Sequence, residues 1–265
     1  MSDHRPIGVF DSGIGGLTVL AALQRHLPGE RFIYLGDTAR LPYGTKSPET
    51  VARYSLRAGL FLLEYGIKLL VVACNTASAT ALPILEHALT VPVVGVVEPG
   101  ARTAATHSRG RIGVIGTEAT VGSGAYGRAL ARYSPGSEVI ARACPLFVPL
   151  AEEGWFDHPV TREVARIYLS PLAEARIDTL ILGCTHYPPL RAAISTAVGT
   201  SVTLVDSGEA VAEAVEKQLA ERAAFAGSNG EIRLMVTDSA ARFSRIAQLI
   251  LPDAGPGLEL VDLPS

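Results

Sequence analysis

This 265-residue chain has no long hydrophobic stretch: its apolar runs, such as "LLVVAC" and "VPVVGVV", span six or seven residues. A membrane-spanning helix needs roughly 20, so no membrane partner is expected. Cysteine is scarce. Cys74, Cys144 and Cys184 are odd in number and widely spaced, with no C-x-x-C among them. That pattern excludes a disulfide scaffold and a zinc cluster, and predicts three free thiols and no metal. The chain also lacks charge of either sign in excess. Its net charge is -3, and the basic residues are scattered rather than gathered in a stripe, so no nucleic-acid partner is expected. Lysine is rare, with Lys46, Lys68 and Lys217 against twenty arginines. This bias, together with the many alanines, reflects base composition and carries no functional weight. The opening "MSDHRPIGVFDSG" enters its first strand without a basic segment, apolar segment and cleavage site. A cytoplasmic location follows as the expectation.

What the chain does have is apolar residues at 48% and charged residues at 18%, the composition of a compact globule. Its length allows one large α/β domain or two of about 130 residues each. Short apolar runs recur as buried strands: "IGVF" at 7, "RFIYLG" at 31, "LLVVA" at 69, "VPVVGVV" at 91, "RIGVIG" at 111, "DTLILG" at 178 and "VTLVD" at 202. Segments with helical spacing, such as Leu17 to Leu27 and Thr50 to Tyr65, separate most of them. Strands apolar on both faces and alternating with helices predict parallel sheets covered on each side. Ligands of such sheets sit beyond the carboxyl ends of the strands. Asp11, Asp37, Cys74, Glu98, Thr117, Cys184 and Asp206 fall at or just after such ends.

Two pairs of segments echo one another. "IGVFDSG" at 7 resembles "IGVIGTE" at 112, and "LLVVACNT" resembles "LILGCTH", at offsets of 105 and 110. The spacing predicts a duplicated α/β unit with a cysteine at the equivalent strand end of each half. A helix is expected from about Gly208, then the loop "AGSNG", the strand "EIRLMVTD", the helix "AARFSRIAQLI" and the strand "LELVDL". This tail is expected to return to the first unit. The predicted boundaries are 1–97 plus 208–265 for one domain and 98–207 for the other.

A cysteine between a strand and a helix has backbone N–H groups and the positive helix end near its sulfur, which favour the thiolate. Cys74 in "CNT" and Cys184 in "CTH" are also followed by hydrogen-bonding groups that are costly to bury unpaired. Cys144, between Ala143 and Pro145, reads as a small buried hydrophobe. "DSGIGGL" at 11 lets the backbone turn sharply and approach a ligand, but it matches neither G-x-G-x-x-G nor a P-loop. Asp11 stands where it can accept a proton or orient a base. His186 can carry a proton beside Cys184. One thiolate with a base suggests nucleophilic catalysis. Two thiols facing each other across a cleft suggest instead that one removes a proton from a carbon while the other returns one to the opposite face. That chemistry inverts a stereocentre and requires no pyridoxal cofactor.

At these residues the sequence resembles the glutamate racemases, cofactor-independent enzymes of the aspartate/glutamate racemase superfamily. The resemblance rests on "GVFDSGIGGLTV", "YLGDTARLPYGTKS", "VACNTASA", "PVVGVVEP", "IGVIGTEATV", "CPLFVPLAEEG" and "LGCTHYPPL", in that order along nearly the whole chain. It implies racemisation of glutamate for peptidoglycan synthesis, without a cofactor. Cys74 and Cys184 would be the acid/base pair, Asp11 supporting Cys74 and His186 supporting Cys184. Glu152 corresponds to a further acid near the second thiol, although Glu153 stands beside it. Substrate contacts would come from Ser12, Tyr43, Gly44, Asn75, Thr76, Thr117 and Thr185. The implied fold is α/β, two pseudo-symmetric three-layer domains with mainly parallel sheets and the active site in the cleft between them, and the implied assembly is a homodimer. The alternatives are a sibling racemase acting on aspartate or a hydantoin, or a thiol or binding protein on the same fold.

Overall fold

Ten strands and eleven helices account for most of the chain in a computed structural model, which describes residues 3–222, 224–226, 230–251 and 257–263. The strands are β1 (Ile7–Asp11), β2 (Phe32–Gly36), β3 (Leu69–Val72), β4 (Val93–Gly95), β5 (Arg111–Gly116), β6 (Glu138–Ala143), β7 (Thr179–Gly183), β8 (Thr203–Asp206), β9 (Ile232–Val236) and β10 (Leu258–Leu260). The helices are α1 (Leu17–His26), α2 (Pro48–Glu64), α3 (Asn75–Ala88), α4 (Val97–His107), α5 (Glu118–Gly122), α6 (Ala125–Tyr133), α7 (Phe147–Glu152), α8 (Pro159–Glu174), α9 (Arg191–Val198), α10 (Ser207–Glu221) and α11 (Ala240–Ile250). Part of the expected loop "AGSNG", residues 227–229, lies outside the described residues.

Every strand pair is parallel, because helical crossovers return the chain to the same edge of the sheet each time. One sheet has the order β10-β9-β2-β1-β3-β4 and the other β6-β5-β7-β8. The run β2-β1-β3-β4 repeats as β6-β5-β7-β8, so β1 corresponds to β5 and β3 to β7. The echoed segments of the sequence therefore occupy equivalent strands. The C-terminal β9 and β10 extend the first sheet beyond β2. Strands β1, β2, β3 and β7 are buried throughout, as parallel strands covered on both faces must be. Apolar clusters fill both sides of each sheet: Val9, Leu20 and Phe243 on one side of the first, Phe10, Leu62 and Leu85 on the other. Leu169 and Ile194, then Leu130 and Val205, do the same for the second.

Strand β6 is the element that the sequence did not announce. "EVIARA" forms the outer edge of the second sheet, half-buried at best along its length, so it needs no continuous apolar run. The expected strand "VPVVGVV" is shorter than its apolar pattern. It pairs only over Val93–Gly95, and Val97 already belongs to α4.

The topology fixes where a ligand can bind. From β1 the chain moves to β2 on one side and then to β3 on the other, and from β5 it moves in the same way to β6 and β7. Loops diverge at these switch points and leave a crevice beyond the strand ends. The residues leaving β1, β3, β5 and β7 are Ser12, the Ala73–Cys74 pair, Thr117 and Cys184.

Candidate active site

A single cleft takes in residues from all four strand ends. It encloses roughly 400 Å³ of space open to solvent and is lined by both Cys74 and Cys184, with Ser12, Tyr43, Gly44, Asn75, Thr76, Thr117, Glu152, Thr185 and His186. Gly13 of the expected glycine turn, and Leu41, Pro42 and Val148, which the sequence did not single out, complete the wall. Of the residues expected at the site, only Asp11 is absent from the lining.

Cys74 is the N-cap residue of α3, and its Sγ lies 3.4 Å from Ser12 Oγ. The sequence predicts a thiol acidified by the helix end. The structure shows the opposite direction. Burial and the nearby Asp11 carboxylate push the Cys74 thiol up to about 12, against the opposing effect of the Ser12 hydroxyl and the Ala77 N–H. Desolvation of a buried sulfur outweighs a helix-end effect of the usual size. Cys184 lines the same cleft as Cys74, so the two sulfurs address one space.

Cys184 is flanked differently. Its Sγ lies 3.9 Å from His186 Nδ1, and His186 Nε2 lies 3.2 Å from Glu152 Oε1. Burial opposes protonation of this imidazole, but its hydrogen bonds to Cys184 and Glu152, and their charges, raise it to about 10. These partners favour the protonated form of His186. Glu152 faces the cleft, whereas its neighbour Glu153 is exposed at the end of α7. A pair of adjacent acids looks alike in sequence, and the helix register decides between them.

Asp11 is fully buried behind the cleft wall. Its Oδ2 accepts from Gly13 N at 2.8 Å and its Oδ1 from Thr185 Oγ1 at 3.3 Å. Burial raises its carboxyl above the usual range, opposed by the charge of His186 and the N–H groups of Gly13 and Gly16. Asp11 thus acts on Cys74 through charge and ties the first lobe to the "CTH" loop through Thr185. The glycines of "DSGIGGL" are required for close approach rather than for a positive φ. A Cβ on Gly15 would fall 2.5 Å from His186 Nδ1 and closer still to Thr185 Oγ1.

The hydroxyl-bearing residues form two groups. Thr76, Thr117 and Thr120 share a ring of hydrogen bonds of 2.9 to 3.2 Å, and Thr117 also caps α5 by accepting from Thr120 N. Tyr43 lines the cleft with its ring, but its hydroxyl turns away to donate to Asp37 Oδ2 at 2.6 Å. Thr237 at the end of β9 donates to the other oxygen of Asp37 at 3.0 Å, so the C-terminal strand braces this loop. Gly44 lies against Thr117, leaving no room for a Cβ. Two strand-end acids stand elsewhere: Glu98 pairs with Arg132 on the surface, and Asp206 caps α10 through Gly208 N at 2.7 Å. Cys144 lies fully buried in the second core. Among the described residues no group of three or more His, Cys, Asp or Glu side chains could hold a metal ion, and no helix is long and apolar enough to cross a membrane.

Residues 12–215 match the family described as Asp/Glu/Hydantoin racemase. The chain is 56% identical over 250 residues to the glutamate racemase of Geobacter metallireducens, covering 93% of each. A glutamate racemase isoform from Bacillus anthracis has the same fold, with a TM-score of 0.95 at 40% identity over 99% of both chains. The glutamate racemase of Francisella tularensis, solved in complex with D-glutamate, gives 0.92 at 38% identity over 98% of both. With that extent of identity and the cleft geometry above, the chain belongs to the Asp/Glu/hydantoin racemase family.

Proposed function

We propose that this protein interconverts L- and D-glutamate without a cofactor, Cys74 and Cys184 acting as acid and base on opposite faces of the α-carbon. The observation that carries this reading is the pair of sulfurs, leaving equivalent strands of two like-ordered sheets and lining one cleft. One thiolate takes the α-hydrogen as a proton, and the electron pair of the C–H bond passes into the adjacent carboxylate. The opposite thiol then gives its proton to the planar carbon from the other face. The sulfurs finish with their protonation exchanged, and no atom is gained or lost.

The surroundings make the two sulfurs unequal, as such a reaction requires at its start. Cys74 faces an acid and holds its proton. Cys184 faces His186 instead, whose ring lies 3.9 Å from its sulfur and is raised toward the protonated form. The hydroxyls of Ser12, Thr76, Thr117 and Thr185 and the Asn75 amide, all of them in residues that line the cleft, would hold the carboxylates and the ammonium. Gly44 supplies backbone and Tyr43 the wall behind it. Burial of the site strengthens each of these interactions.

The lobes that bracket the substrate are residues 1–97 with 208–265, and residues 98–207. The product would serve peptidoglycan synthesis in the cytoplasm, and the working form is a homodimer. The test is incubation of metal-free protein with L-glutamate in D2O. Loss of optical activity with deuterium entering at the α-carbon is expected, and both Cys74→Ser and Cys184→Ser should abolish racemisation while keeping the wild-type circular dichroism. Near-normal D-glutamate formation by either variant would defeat the two-thiol assignment, and no exchange by the wild type would defeat the activity.

A further inference from the structure

Asn75 lines the cleft directly after Cys74, yet groups from across the lobe boundary hold its carboxamide. Its Nδ2 donates to the Tyr126 hydroxyl at 2.8 Å and to Ser207 Oγ at 3.3 Å. Tyr126 belongs to α6 and Ser207 opens α10. Ser207 in turn donates to the carbonyl of Leu182 at 3.2 Å, on β7 two residues before Cys184. The two hydroxyls lie 3.3 Å apart.

The amide lies with Nδ2 toward the two hydroxyls, and a count of protons agrees with that direction. Each hydroxyl has one proton. Ser207 spends its own on Leu182, and Tyr126 can spend its own on Ser207. Both oxygens then accept from Asn75, which takes up both Nδ2 protons. Asn75 Oδ1 is left buried with no hydrogen-bond partner among the described residues. Asn75 is 2% exposed, and a buried acceptor without a donor is costly. The Tyr126 ring has little freedom to turn: it is 4% exposed and packs on Gly183, where a Cβ would come within 3.0 Å of its Cε2.

We propose that Tyr126 and Ser207 are positioning residues, orienting the Asn75 carboxamide so that its oxygen receives the ammonium group of the substrate. The inference rests on reading the cleft as an amino-acid site. Of the polar groups of glutamate at neutral pH, only the ammonium donates, and both carboxylates accept. An amide turned the other way would present Nδ2 and select a carboxylate. The same relay links the residue following Cys74 to the strand that carries Cys184, so the ammonium is registered against both thiols.

The test is Tyr126→Phe, which removes the hydroxyl and keeps the ring. The readouts are KM and kcat for glutamate, and the inhibition constant of glutarate, which carries the two carboxylates without the ammonium. KM should rise about tenfold, the value of one well-placed hydrogen bond, with kcat within about threefold and glutarate binding unchanged. Equal weakening of glutamate and glutarate would mean general distortion and would overturn the proposal, as would no change in either. If Tyr126→Phe fails to fold, Ser207→Ala leaves the ring packing intact and should show the same split; its absence there overturns the proposal too. Wild-type protein assayed in parallel separates the cases: a wild type that does not racemise glutamate refutes the function, whereas a racemising wild type with an unaltered variant refutes only the role of the relay.

Discussion

Replacing Glu152 with glutamine should lower the pH at which activity is lost on the alkaline side. His186 Nε2 stands 3.2 Å from Glu152 Oε1, with both side chains about 10% exposed. At an effective dielectric of about 20, opposite unit charges at that separation attract by about 5 kcal/mol, equivalent to nearly 4 pKa units. Glutamine keeps an oxygen that can accept from the imidazole, and the interaction with Cys184 persists. The net fall is therefore about 1–3 units below the wild-type value of about 10. The sign follows from the direction of the shift. His186 is raised in the folded protein, so the imidazolium, and the stability that it contributes, are complete below about 6.5 and lost as pH rises through about 10. Wild-type activity that depends on this cation should persist toward pH 10, whereas the variant should decline from about pH 7–9. Initial rates measured by circular dichroism between pH 6 and 10.5, in both directions, with near-ultraviolet spectra to check packing, provide the assay. A folded Glu152→Gln protein whose alkaline limb coincides with that of the wild type would refute the Glu152–His186–Cys184 chain as the source of charge at the second thiol.

Two further substitutions test the frame around the site. Gly15→Ala puts a methyl against Thr185 and His186 and should lower kcat/KM about a hundredfold, since displacement by about 1 Å at a reacting centre costs that much; a thermal melt near that of the wild type with normal kinetics would show that the loop gives way harmlessly. Lys68→Met leaves the Glu30 carboxylate buried without the ammonium now 2.6 Å away, and also removes donors to the carbonyls of Asp3 and Ala224. Urea unfolding should show a loss of about 3–5 kcal/mol with KM unchanged, because Lys68 precedes β3 at the end of the sheet remote from the cleft; a loss under about 1 kcal/mol would contradict the weight given to this pair.

The sequence determined whatever depends on neighbours in the chain. Runs such as "LLVVAC" and "DTLILG" specify buried parallel strands because both faces must be apolar, and the residue that ends such a run must lie at a ligand-binding edge. For that reason Cys74, Thr117, Cys184 and His186 could be picked out before any coordinates. Local pattern could not specify β6, whose edge position asks little of its side chains, nor choose Glu152 over Glu153, which depends on how α7 faces His186. Tertiary structure alone decided the electrostatics. Cys74 has a helix end beside it, yet burial and Asp11, 63 positions earlier, hold its proton in place. It alone also turned the Tyr43 hydroxyl toward Asp37 and drew Tyr126 and Ser207 to Asn75. Desolvation and hydrogen-bond direction are set by every group packed around an atom, and most of those groups come from distant parts of the chain.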